Sequence, residues 1–301
     1  MTTLRVTQRM MVNSSLTALQ LGMGRLAETQ EQLSTGRLIN KPSDSPTGTN
    51  EAMRIRAQLA ADTQHSRNAD DALSWMGQTD STLQSMLDDV HRARDLVLQG
   101  SNTGSSGPDA RNALATELTQ IRQSLLGLAN TQHMGRPIFG GTTGGTDAYV
   151  QDPVTKDVTF AGADFAVSRT VKDGVSVRIN VTGPEAFSTA SGDGLFTVMG
   201  DAISQMTSNP SALGGTLDRL DAVASQMKGA LADLGTRYGR VQGAVSSLQD
   251  TSLNNQNRLS QVENVDVAKA VLDLQMQQVA YQASLGATAR VLQPSLMDFL
   301  R

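Results

Sequence analysis

No cysteine occurs anywhere in the 301 residues. That excludes disulfide staples, thiolate metal sites and a cysteine nucleophile, and leaves packing and association as the sources of stability. Aromatic residues are scarce as well: one tryptophan (Trp75), three tyrosines and six phenylalanines. A compact core usually leans on aromatics, so Leu, Val, Met and Ala on helices are expected to set the shape. No apolar run approaches the ~20 residues that a membrane-crossing helix needs. A net charge of −4 gives no basic footprint for nucleic acid. The opening residues Met1 to Arg5 have neither the charged nor the apolar region of a secretory signal. The expectation is a chain that stays inside the cell or leaves it without a cleaved signal peptide.

What the chain does have is heptad patterning at both ends. Val12, Leu16, Leu19, Met23, Leu26 and Leu33 recur at spacings of three and four. So do Leu217, Leu220, Ala224, Met227, Leu231, Leu234, Tyr238, Val241, Val245 and Leu248. Seams of this period pack knobs into holes against a partner helix, and these expose more apolar surface than one chain can bury. Such ends suit a subunit stacked with copies of itself.

The spacing predicts a first helix over about 6–35, closed by Gly36 in a left-handed cap. A turn-rich stretch follows, in which Ser45 and Pro46 stand as N-cap and first residue of a second helix over 49–99. Its seam runs from Ala69 to Val97, interrupted by Asp80 and Arg94. A flexible turn at Gly100–Gly107 leads to a third helix from Pro108. From Gly135 the character changes. The glycines of 140–145 mark a boundary, and alternation at 158–160, 165–171 and 175–181 reads as short half-buried strands, four to six of them between Ile138 and Val181. In the last, Val175, Val177, Ile179 and Val181 point one way while Ser176, Arg178 and Asn180 point the other. Helical spacing returns near Phe196, continues in a long helix over 211–262 and ends with a helix over 267–292 striped by Val267, Val271, Leu274, Tyr281, Leu285 and Leu292. The fold class is therefore mainly α with a β insertion: a long antiparallel, coiled-coil-like helix bundle from both chain ends plus a small central β-domain. The expected division is a terminal domain of 1–48 with 263–301, a long-helix bundle of 49–134 with 196–262, and a β-rich outer domain of 135–195.

Catalytic constellations are not suggested. The three histidines, His65, His91 and His133, lie far apart and read as surface residues rather than metal ligands. Gly140–Gly145 lacks the Lys-Ser/Thr of a phosphate loop. Acidic neighbours such as Asp70-Asp71 and Asp88-Asp89 diverge by ~100° on a helix and read as solvated faces. Gly229, Gly235, Gly239 and Gly243 on the last long helix admit two readings, close approach by a neighbouring helix or merely tolerated glycines.

Three stretches carry a resemblance. Gln32-Leu-Ser-Thr-Gly-Arg-Leu-Ile-Asn-Lys-Pro-Ser-Asp-Ser-Pro-Thr-Gly48, with Arg5-Val-Thr7 before it, is one. Val90-His-Arg-Ala-Arg-Asp-Leu-Val-Leu-Gln99 is the second, and Glu263-Asn-Val-Asp-Val-Ala-Lys-Ala270 through Tyr281–Leu285 to Ser295-Leu-Met-Asp-Phe-Leu300 the third. Together they resemble the flagellin superfamily, and within it the type-three hook-associated branch that joins hook to filament. Ser45 departs from the pattern, standing where an acidic residue is usual.

The resemblance implies a structural, non-enzymatic subunit of the bacterial flagellum that forms the hook–filament junction layer and templates flagellin polymerisation. The alternative is a divergent flagellin forming the filament itself. Rivals of other classes are an enzyme carried in the β-insert and an unrelated coiled-coil adhesin. The implied partners are copies of itself, the other junction protein, flagellin and an export chaperone for the C-terminal helix, with no cofactor, no nucleic acid and no membrane insertion. The implied location is the extracellular flagellum, reached through the flagellar export apparatus. The expected assembly interface comprises the two stripes above (Val12 to Leu33, Val267 to Leu292), the turn residues Asn40, Pro42 and Asp44, and Arg92 and Arg94. For the two arginines, ordinary pairing at i,i+3 and i,i+4 remains open. The outermost helices are expected to be disordered in the monomer and to order when neighbours bury their stripes.

Overall fold

The computed structural model describes residues 2–102, 107–189 and 191–292. Residues 103–106 of the Gly100–Gly107 turn and the Ser295–Leu300 tail lie outside them, as do the side chains of Leu292 and of Arg5 to Thr7. In chain order come α1 (Thr2–Thr35), α2 (Pro46–Ser101), α3 (Pro108–Ala129), β1 (Gln132–His133), β2 (Arg136–Pro137), β3 (Tyr149–Gln151), β4 (Val158–Phe160), β5 (Ser168–Lys172), β6 (Val175–Arg178), α4 (Gly183–Phe187), α5 (Leu195–Ser208), a 3-10 turn at Pro210–Ala212, α6 (Leu213–Glu263) and α7 (Val267–Leu292). The chain is thus helix-rich with a small β insertion.

The helix boundaries follow local chemistry. Thr35 ends α1 because Gly36 takes φ +70°, which a Cβ would oppose. Ser45 caps α2: its Oγ accepts the Gly48 N–H at 3.1 Å, and Pro46 fills the first helical position, where no N–H is needed.

Two compact units emerge, one drawn from residues 1–61 and 251–301, the other from 62–250. The central unit (62–250) holds the hydrophobic core, a continuous cluster from Ala69 to Val241 that includes Met76, Leu83, Leu118, Leu125, Met199, Leu220 and Met227. Within it α2 and α6 run antiparallel: Arg94 meets Asp221, while Met76 and Asp80 stand beside Leu234 and Tyr238. Five of the few aromatics gather in one place. Phe139 lies edge-on to Phe187 at 4.9 Å, and Tyr149 contacts Phe160, Phe187 and Phe196 at 5.1–5.9 Å. Aromatics therefore do set shape here, where the β insertion meets α5.

Among the described residues the strands form three antiparallel pairs, β1–β2, β3–β4 and β5–β6. The β5–β6 hairpin is fastened to α2 and α6 by Asn68 Nδ2 to the Thr170 carbonyl (2.9 Å), Arg169 to Asp71 (2.8 Å) and Lys172 to Ser247 (3.2 Å).

Four local expectations change. The final strand stops at Arg178, and Asn180 is fully buried instead of pointing outward. Its amide bridges two backbone groups, accepting from Val167 N (2.8 Å) and donating to Phe165 O (2.9 Å), so burial leaves it satisfied. Phe165, expected in a half-buried strand, lies outside any strand and is exposed. Gly140 and Gly141, read as boundary glycines, also sit in close backbone contact. A Cβ on Gly141 would stand 1.7 Å from the Ala163 carbonyl oxygen, and the Gly140 carbonyl accepts Ala163 N at 3.0 Å. His133 is not a plain surface residue: it meets Trp75 edge-on at 5.4 Å, with its Nε2 buried.

Candidate assembly surface

The terminal unit is built from α1, the 36–45 turn, the first part of α2, the last part of α6, and α7. α1 and α7 pack antiparallel. Gly22 lies where an added Cβ would touch the Tyr281 ring at 3.5 Å, and Thr29 Oγ1 reaches Gln277 Oε1 at 3.2 Å. Where the chain leaves α1 and enters α7, the two strands of backbone join directly: Leu38 N donates to Glu263 O at 2.6 Å and Val265 N to Gly36 O at 3.1 Å. Glu263 is buried, and its carboxylate is balanced by Arg56 at 2.8 Å. Glu51 receives both Arg54 (2.6 Å) and Arg258 (2.9 Å), which ties α2 to α6 in this unit.

The turn after α1 is organised by one carboxylate. Asp44 Oδ2 accepts the backbone N–H groups of Lys41 (2.8 Å) and Asn40 (3.0 Å), which hold its acid below the usual carboxylate range. Asn40 Nδ2 donates to the Arg37 carbonyl, and Lys41 reaches back to Glu31 at 2.8 Å. Pro42 is exposed on this turn.

What the terminal unit lacks is a core. Among its described residues only Ala52, Ile55 and Ala270 are buried apolar side chains. Large apolar residues stand in solvent instead: Met10, Leu21, Met53, Leu253, Leu272, Met276 and Val279 are all more than half exposed. Of the stripe residues expected to form the interface, Leu16, Met23, Val267, Val271 and Leu285 are exposed, while Val12, Leu19, Leu26, Leu33, Leu274 and Tyr281 are half-buried. Sequence reasoning missed the second series on α7. Leu272, Met276 and Val279 repeat at four and three, offset from the Val267 stripe, and this was the available signal. A helix apolar on more than one face has room for more than one partner.

Arg92 and Arg94 belong to the central unit and already have partners in their own chain. Arg92 pairs with Glu117 of α3 and Arg94 with Asp221 of α6. Neither uses a neighbour at i+3 or i+4, although the Arg92 side chain keeps two-thirds of its surface in solvent.

A hollow of about 710 Å³ in the central unit lies between α3, α5 and the loop joining β3 to β4. Two of its charged groups are engaged structurally: Arg122 donates to the Lys156 carbonyl (2.7 Å) and Asp201 accepts Arg219 (2.7 Å). Among the described residues no group of His, Asp or Glu is placed to hold a metal ion, and no helix is long and apolar enough to cross a membrane. Along α6, a Cβ on Gly229, Gly235, Gly239 or Gly243 would meet nothing within 4 Å, so among the described residues no helix packs close against them.

Comparison with known proteins agrees with this helical frame. Residues 6–143 match the bacterial flagellin N-terminal helical region and residues 217–300 the bacterial flagellin C-terminal helical region. Flagellar hook-associated protein 3 of Salmonella typhimurium is 25% identical over 307 residues, covering 93% of this chain and 95% of its own length. The flagellar filament 30.7 kDa core protein of Treponema maltophilum is 24% identical over 261 residues, covering 86% of each. The crystal structure of Xanthomonas campestris FlgL superposes with a TM-score of 0.62 at 18% identity, covering 68% of this chain and 99% of that one. With both helical regions matched in order and the helix-rich frame in common, the chain belongs to the bacterial flagellin family.

Proposed function

We propose that this chain is a structural subunit of the flagellum that forms the junction layer between hook and filament and templates flagellin. The observation that carries this reading is the contrast between the two units. Every residue of the large core cluster lies between Ala69 and Val241, while the terminal helices hold their apolar side chains out to solvent. Apolar faces of this extent on a helix pair are stabilised by neighbours, so ordering of 2–35 and 267–292 is coupled to assembly. The interface comprises the stripes Val12 to Leu33 and Val267 to Leu292 together with the Asn40–Asp44 turn. Arg92 and Arg94 lie at a second assembly contact.

The partners are copies of the same chain, the other junction protein on the hook side and flagellin on the filament side. An export chaperone covers the C-terminal helix before assembly, and the chain travels unfolded through the flagellar export apparatus to the extracellular flagellum. Its work is mechanical, without catalysis. The division of labour follows the chain: 1–48 with 263–301 assemble, 49–134 with 196–262 form the bundle, and 135–195 face outward.

Deleting the gene in the source bacterium tests the reading. The expected outcome is intact hooks without filaments under the electron microscope and flagellin monomer lost to the medium. Filaments of normal number and length would overturn it. The likeness to a filament core protein keeps a second reading in view, a filament-forming flagellin. Long filaments grown by the purified chain alone would favour that alternative.

A further inference from the structure

Two features of the central unit complement each other, yet within one chain they are not joined. The first is a knob. β1 and β2 are linked by Met134-Gly135, with φ +50° and +77°. Two successive positive φ values make the tight hairpin turn that glycine or asparagine usually occupies. Here a methionine takes the first place and is 81% exposed. Beside it, Arg136 is exposed and has no partner among the described residues. The hairpin is firmly mounted: His133 rests on Trp75, Ile138 N donates to Thr131 O at 3.0 Å, and Gln132 Nε2 donates to Thr146 O at 2.8 Å. An apolar tip on a rigid base is presented to something.

The second feature is a hole. Between α2 and α6 lies a hollow of about 230 Å³, larger than the ~150 Å³ void that accepts benzene. Met76 and Leu234 form its apolar floor, Gly77 and Gly235 open its sides, and Tyr238 and Asp80 stand on the rim. Both glycines are exposed helix-interior positions where an added Cβ would meet nothing in this chain. Asp80 accepts Gln84 Nε2 at 2.7 Å and, among the described residues, has no cation beside it.

We propose that Met134 of one copy seats in the hollow over Gly77 and Gly235 of a neighbouring copy, with Arg136 paired to Asp80 at the rim. An unbranched, polarisable thioether adapts to such a site, and an arginine beside the knob meets an uncompensated carboxylate beside the hole. Because knob and hole are different surfaces, the contact is head-to-tail and propagates from copy to copy, as a layer requires. The proposal rests on the reading that this chain assembles with itself, and adds a contact outside the terminal helices.

The absence of native cysteine gives a clean test. Two full-length variants, Met134→Cys and Tyr238→Cys, are co-expressed in the source bacterium, and its flagella are purified and oxidised. A disulfide-linked dimer is expected from the mixture and from neither variant alone. Placing Arg136→Asp on the first chain or Asp80→Arg on the second lowers the yield roughly two- to fivefold, as for a rim ion pair, and both together restore it. Variants present in the flagella that give no mixed dimer overturn the proposal and leave the assembly reading intact. Absence of the wild-type chain from the purified flagella removes both.

Discussion

Arg94 ties α2 to α6 by donating from Nε to Asp221 Oδ1 at 2.6 Å and from Nη2 to Oδ2 at 3.2 Å. That bidentate hydrogen bond, with the guanidinium charge behind it, holds the Asp221 carboxyl below its usual range against a smaller opposing effect of desolvation. A depressed folded-state acid stabilises the fold above the unfolded carboxylate value, ~3.9, and the contribution disappears as pH falls through the lower folded value. Asp221→Asn is therefore expected to flatten the acid arm of a stability–pH curve below about pH 4. Nearly half the Asp221 side chain is exposed, so the effect is small and shrinks in 1 M salt. Thermal melts of both proteins from pH 2 to 7 check this, and an unchanged acid arm would count against the pairing.

The two units answer truncation differently. Leu118→Ala in the core is expected to cost about 2–5 kcal/mol, because it opens a cavity among fully buried side chains. Met276→Ala on α7, with its side chain in solvent, is expected to stay within ~0.5 kcal/mol in the free chain and still impair incorporation into flagella. Denaturant unfolding measures the first pair of values; quantifying the chain in purified flagella measures the second effect.

Glycine substitutions divide by what a methyl group would meet. Gly141→Ala forces a Cβ into the Ala163 carbonyl at a left-handed position and is expected to cost at least ~2 kcal/mol. Gly239→Ala lies on an exposed face of α6 with nothing within 4 Å and is expected to stabilise by roughly 0.4–1 kcal/mol. Equal melting temperatures for the two variants would contradict this ordering.

Hydrogen exchange should separate the ends from the middle. In the free chain, amides of α1 and α7 are expected to exchange within seconds to minutes while those of α2 between 69 and 97 stay protected, and assembly should slow the former. Equal protection of both in the free chain would show that the terminal pair is stable alone.

Much of this fold is legible in the sequence because its helices carry their own punctuation. Gly36 and Ser45-Pro46 mark the turn after α1, and the last helix has the limits its spacing predicts, Val267–Leu292. The β insertion is harder. Asn180 looks outward by alternation, but the chain leaves the strand at Arg178 and the amide turns inward to bridge two backbone groups, which no periodicity records. Gly141 reads only as a boundary glycine, because glycine serves equally at boundaries and where backbones touch. At the candidate surface, the apolar stripes could be read directly. The roles of Arg92 and Arg94 could not, since Glu117 and Asp221 are distant in the chain and meet them only after α3 and α6 have packed on α2.

The edge contact between Trp75 and His133 has a practical consequence. The only indole of the chain sits inside 62–250, against the hairpin that carries Met134. Intrinsic fluorescence excited at the indole therefore watches the middle of this subunit and is blind to its ends. A melting curve followed by that signal would declare the protein intact while both terminal helices had already come apart, and a label placed on α1 or α7 would tell the other half of the story.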